Sequence, residues 1–140
     1  MAIDGGLRQL FRAHLPAWHW TSIETGSTGR GIPDMEYCAP GGVTGWLELK
    51  HTAGYAVALA PEQVAWLTRR ARAGGRAFIA VRRRAPAGPR RGAACDELYL
   101  VAGAAAAGLK AQGLGAVAHD TWAGGPAKWD WDAIAQLLTA

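Results

Sequence analysis

Cysteine is scarce in this 140-residue chain, which has only Cys38 and Cys95. Two thiols cannot build a disulfide scaffold or a four-cysteine zinc site, and such low usage leads us to expect a reducing, cytoplasmic setting. Long apolar runs are also lacking. None approaches the ~18 residues that a membrane-crossing helix needs, so no membrane partner is expected. The start, Met1-Ala2-Ile3-Asp4, has no basic segment followed by an apolar one, and we read no secretion signal there. The four histidines (His14, His19, His51 and His119) show no motif spacing, and no Ser-His-Asp or Cys-His nucleophile pattern is visible. Acidic residues are missing altogether between Glu62 and Asp96, an interval that carries nine arginines, and the net charge is +4. An uninterrupted cationic segment suits a polyanionic partner, because each phosphate contact releases condensed counterions.

What remains is half hydrophobic and 19% charged, the composition of a folded globular chain. The length suits one domain, residues 1–140, and no internal repeat is present. The pattern predicts a first helix over about residues 5–15, capped by Asp4, with Leu7, Leu10, Phe11 and Leu15 on one face and Pro16 as its stop. Ala17 to Glu24 reads as a strand, and Gly26 to Gly31 as a loop. Asp34 to Cys38 and Thr44 to His51, joined through Ala39-Pro40-Gly41-Gly42, read as a hairpin. Pro61 opens a helix to about Ala73, with Val64, Leu67 and Ala71 facing inward and Gly74-Gly75 ending it. Arg76 to Val81 is an apolar strand continued by three arginines, and Ala85 to Ala94 is a loop. Glu97 to Val101 is a strand, and Ala102 to Gln112 and Trp131 to Leu138 are helices, the last capped by Asp130. The expected fold is α/β, a mixed central sheet flanked by helices.

The chemistry-bearing stretch is Gly31-Ile32-Pro33-Asp34, followed fourteen positions later by Glu48-Leu49-Lys50. Side chains alternate along a strand, so Glu48 and Lys50 share one face and Leu49 takes the other. Asp34 opens the partner strand of the hairpin, and pairing brings its carboxylate beside Glu48. Two adjacent carboxylates repel and lose hydration unless a cation lies between them. A hard divalent ion with oxygen ligands meets that need, and Mg²⁺ is the usual ion when phosphate is the substrate, with Mn²⁺ as a substitute. Asp34 and Glu48 are the expected metal ligands, with the backbone carbonyl of Leu49 as a third oxygen. Lys50 is expected to orient water or to neutralise charge developing on the transition state.

The pattern G-I-P-D…E-L-K resembles the PD-(D/E)xK nuclease superfamily. Trp46 before the acid, then Leu59-Ala60-Pro61-Glu62-Gln63 opening a helix, then Gly75 and a hydrophobic strand, are similar to the virus-type replication-repair (VRR-Nuc) nucleases and related small phage endonucleases. The resemblance covers about residues 20–84. It implies a restriction-endonuclease-like αβββαβ core over about residues 17–84, with a strand-and-helix extension from about residue 95 to 140. It implies a divalent-metal-dependent endodeoxyribonuclease in a bacterial host cell, acting on branched, junction or flap DNA, often as a homodimer. It places catalytic roles on Asp34, Glu48 and Lys50, and a phosphate or water contact on Gln63. An upstream glutamate often completes such sites. Glu24 is the candidate, although it ends a strand in our reading whereas the family often supplies this acid from its first helix.

Around the site, Arg30 in the glycine loop, Arg69, Arg70 and Arg72 on the helix, and Arg82, Arg83 and Arg84 on the strand are candidates to follow a DNA backbone, although neighbours on a helix or strand diverge and not all can face the same way. Trp18, Trp20, Trp46 and Trp66 are expected in the core or at a subunit interface rather than as base-stacking platforms, and Trp129 and Trp131 partly exposed at a dimer contact. His51 is expected to point away from Lys50 and to take no catalytic part. Glu36 and Glu62 read as solvated. Two other readings remain open: a non-catalytic DNA-binding accessory protein that keeps the fold, and a nuclease acting on RNA.

Overall fold

The structure is a computed structural model that describes residues 4–24, 29–90 and 92–140. The Gly26–Thr28 part of the expected glycine loop, Arg91 and Met1–Ile3 lie outside the described residues. The chain forms one mixed six-stranded sheet in the spatial order β1-β2-β3-β4-β5-β6. The strands are β1 (His19–Ser22), β2 (Met35–Cys38), β3 (Thr44–Thr52), β4 (Ala77–Ala85), β5 (Cys95–Ala102) and β6 (Asp120–Trp122). All neighbours are antiparallel except β3 and β4, which run parallel. A parallel pair needs a crossover, and α2 (Pro61–Arg72) supplies it. The expected α/β class and the 35–38/44–52 hairpin are therefore present. The three-residue β6 was not read from the sequence, because so short a segment shows no alternation.

Both faces of the sheet are covered. On one, α1 (Leu7–His14) and α4 (Trp131–Thr139) pack Leu7, Phe11, Ile134 and Leu138 against Met35, Tyr37, Leu47, Leu49 and Leu98. On the other, α2 and α3 (Ala106–Gln112) bring Leu67, Ala106 and Leu109 onto Ile79, Val81, Tyr99 and Val101. Strand alternation explains this division: odd residues of β3 face α1, and even residues face α2. The Asp4 carboxylate accepts the backbone N–H groups of Gly6 and Arg8 at 2.9 and 3.1 Å, satisfying donors that the first turn of α1 leaves free.

The tryptophans serve packing. Trp18, Trp20, Trp46 and Trp66 lie at the core margins as expected. Trp129 is buried at 3% exposure, and its indole N–H donates to the Asp96 carbonyl; this corrects the expectation that it is partly exposed at a dimer contact. Trp131 is half-buried, stacked on His14 with ring centroids 4.3 Å apart. Among the described residues, no helix is long and apolar enough to cross a membrane.

Candidate metal and phosphodiester site

The hairpin builds the site because β2 is shorter than β3. Pairing of the two strands runs only as far as Met35 opposite Leu47, so β3 continues past the head of β2. Asp34 sits at that step, immediately after the buried Pro33. Its carboxylate accepts the Leu49 N–H at 2.8 Å and takes the place of the missing strand partner. The N–H and C=O of one strand residue point to the same side, so the Leu49 carbonyl also faces the side that Asp34 occupies.

Glu48 follows from the same alternation. It lies inside the sheet opposite Ile79 and is 1% exposed. Its Oε2 is buried without a hydrogen-bond partner. Burial pushes its pKa from 4.5 up to about 9, with the hydrogen bond and negative charge of Asp34 adding to the rise and Lys50 and the Leu49 N–H opposing it. Lys50 is on the same face, and its Nζ donates to Gln63 Oε1 at 3.1 Å. The same Gln63 oxygen accepts the Ala60 N–H at 2.9 Å, the backbone half of a capping box at the start of α2. Gln63 therefore ties the end of β3 to the first turn of the crossover helix, and it positions Lys50.

These groups line one cleft of about 560 Å³ together with residues that sequence reasoning missed. Arg8 of α1 reaches Asp34 twice: Nη1 donates to its carbonyl at 3.2 Å, and Nη2 stands 3.9 Å from its carboxylate. Asp4 and His51 also line the cleft. The amphipathic stripe of α1 gave the only sequence signal for the first two, since it showed that the helix docks but not where. His51 lies on the sheet face opposite Lys50, as expected, packed beside Gly5 with Nε2 buried and unpartnered. Burial holds its pKa below the ordinary value, and the charges of Arg84 and Arg82 lower it further. Glu24 is exposed after β1 and is not among the groups lining the cleft; the acid ahead of the first helix that reaches it is Asp4.

The arginines divide into two sets. Arg82 is 7% exposed: Nε and Nη2 form a two-pronged pair with the Asp96 carboxylate at 2.8 and 2.7 Å, and Nη1 donates to the Gly5 carbonyl at 2.7 Å. This corrects the expectation that Arg82 follows a DNA backbone, because all three of its nitrogens are spent inside the fold. Arg83 pairs with Glu97 at 2.8 Å and lies over the Tyr55 ring. Arg84 is half-buried toward His51. Arg30, Arg69 and Arg70 line a second cleft on the outer side of α2. Arg72 is exposed and outside that cleft.

The donor set suits a hard divalent cation. Asp34, the orphaned Oε2 of Glu48 and the Leu49 carbonyl offer only oxygen, from two carboxylates and one main-chain group. Among the described residues, no three His, Cys, Asp or Glu side chains converge as a complete cage. Mg²⁺ needs no such cage, since it is commonly held by one or two carboxylates with water and substrate phosphate in the other positions. No family profile, curated protein or solved structure matches the chain.

Proposed function

We propose that the chain is a divalent-metal-dependent endonuclease of the PD-(D/E)xK kind that hydrolyses phosphodiester bonds in DNA, with branched, junction or flap DNA as its substrate class. The observation that carries this reading is Glu48: a fully buried carboxyl beside a second carboxyl, with one oxygen unpartnered. Such a pair holds a surplus proton when alone, and a cation supplies the missing positive charge. The element order α1-β1-β2-β3-α2-β4 supports a restriction-endonuclease-like αβββαβ core, with Asp34 at the head of β2 and Glu48 and Lys50 on β3.

Asp34, Glu48 and the Leu49 carbonyl would hold Mg²⁺ or Mn²⁺. When bound, the ion supplies Lewis-acid polarisation of the phosphodiester and activation of water as a nucleophile. The rest of the work belongs to the protein. Lys50, steadied by Gln63, offers an ammonium to the charge that builds on the phosphoryl oxygens. Arg8 holds Asp34 from behind and adds a second positive charge to the cleft.

The test is cleavage of plasmid, a four-way junction, a flap and single-stranded oligonucleotides with Mg²⁺, with Mn²⁺ or in EDTA. We expect metal-dependent cleavage that is lost in Asp34→Asn and highest on the junction or flap. Binding without cleavage under every metal condition would instead mark a non-catalytic DNA-binding protein, and preferential cleavage of RNA would reassign the substrate.

A further inference from the structure

The second cleft has no part in the site described above. Its residues Glu62, Trp66, Arg69, Arg70 and Ala73 recur at helical spacing along one stripe of α2, about 16 Å from end to end at 1.5 Å per residue. Trp66 lines it and meets Trp46 edge to face, with centroids 5.1 Å apart, and the Arg70 guanidinium lies 4.5 Å above the Trp66 ring. Its walls are cationic. Arg30 and Arg69 are exposed, and among the described residues neither they nor Arg70 have a carboxylate within ion-pair distance. The arginines of β4 differ, since Arg82 and Arg83 are neutralised in the sheet. Glu62 is the one acid lining the cleft, and it lies at the end nearest Gln63.

The cleft adjoins the metal site: Glu62 lines the one and its neighbour Gln63 the other, and Arg30 lies four residues before Asp34. Gly31 lies against the first turn of α2 so closely that a Cβ there would stand 2.2 Å from the Glu62 carbonyl oxygen, and its φ of +85° favours glycine. Arg30 is on the α2 side of that contact, and Asp34 is on the β3 side.

We propose that this groove holds the single-stranded flank of the substrate, the nucleotides that continue from the phosphodiester in the Asp34–Glu48 cleft. This rests on the nuclease reading for its direction, although the groove's own chemistry is independent of it. Arginines without carboxylate partners take the phosphates, and the Arg70 guanidinium, held flat on Trp66, offers its own plane to a base. A strand seated there selects substrates with an unpaired tail beside the scissile bond.

The experiment measures binding of a fluorescein-labelled oligothymidylate in EDTA, by anisotropy across a salt series, for wild type and Arg30→Ala/Arg69→Ala. Both side chains are exposed, and an unchanged unfolding midpoint verifies the fold. We expect affinity to fall about tenfold or more, and the salt slope to fall by about 1.4, the loss of two single-strand phosphate contacts. A blunt duplex of the same length should lose much less; an equal loss on duplex would overturn the single-strand assignment. Arg90→Ala/Lys128→Ala removes the same charge outside the groove. If it weakens binding equally, or if the first variant leaves affinity and slope unchanged, the groove is not the binding site. The two proposals fail separately. Cleavage by wild type with unchanged binding in Arg30→Ala/Arg69→Ala removes the groove and keeps the nuclease. Weakened binding in that variant with no cleavage by wild type keeps the groove and removes the nuclease.

Discussion

Replacing Glu48 by Gln tests how the buried carboxyl pair is balanced. In the metal-free protein, burial and the neighbouring Asp34 raise the Glu48 pKa from 4.5 to about 9. Across that window the folded state keeps a proton that the unfolded chain releases. The contribution to stability is therefore full below the ordinary carboxyl value and is lost as pH rises toward about 9. Gln carries its own amide N–H where the protonated acid carries O–H, so it still donates to Asp34 and has no proton to lose. In EDTA, wild type should lose stability relative to Glu48→Gln by about 1.4 kcal/mol per pH unit, the limit for one proton, or about 2–3 kcal/mol between about pH 5 and pH 7. For a chain of this size that separates the two melting temperatures by roughly 6–10 °C. Mg²⁺ should then stabilise wild type, by about 2.7 kcal/mol at a hundredfold excess over its Kd, and leave Glu48→Gln unmoved. Urea denaturation of both proteins over the pH series, with and without Mg²⁺, gives both quantities. Parallel pH profiles, or an equal response to Mg²⁺, would refute the reasoning.

Other substitutions separate the roles of neighbouring groups. Lys50→Ala should reduce the cleavage rate by about 10³-fold while DNA binding stays within a few-fold, because the ammonium acts on charge that develops in the transition state; single-turnover rates beside Kd measure both. Arg82→Ala should cost about 3 kcal/mol in denaturant unfolding, because it strands Asp96 and the Gly5 carbonyl, and should leave the salt slope of DNA binding unchanged; a changed slope with normal stability would put Arg82 at the DNA. Gly31→Ala should destabilise by about 1–3 kcal/mol and lower cleavage, because the new Cβ meets the Glu62 carbonyl and the backbone sits at positive φ. Wild-type activity and stability in that variant would show that the segment carrying Asp34 does not depend on its seat against α2.

Local pattern carried much of this structure. Alternation in Thr44–Thr52 put Glu48 and Lys50 on one face, and the turn at Pro40–Gly42 set the hairpin that brings Asp34 beside them. Pro61 marked the start of α2. Long-range features were not legible. That Arg8 and Asp4 reach the site depends on which part of the sheet α1 packs against, and an amphipathic stripe does not encode that. The burial of Arg82 depends on the β4–β5 register that sets it opposite Leu98 with Asp96 in reach; alternation showed that the run must split between faces but not which arginine turns inward. Trp129 looked exposed beside Gly124-Gly125, but its packing against Arg82 and Asp96 buries it. Glu24 was chosen by type and position in the chain, and neither fixes where a residue after an edge strand ends up.

The most direct measurement is anomalous diffraction from crystals soaked in Mn²⁺. We expect one peak at coordination distance, about 2.0–2.2 Å, from oxygens of Asp34 and Glu48 and from the Leu49 carbonyl. Saturating Mn²⁺ that leaves no peak between those groups, or that places it elsewhere on the chain, would contradict the metal-site assignment.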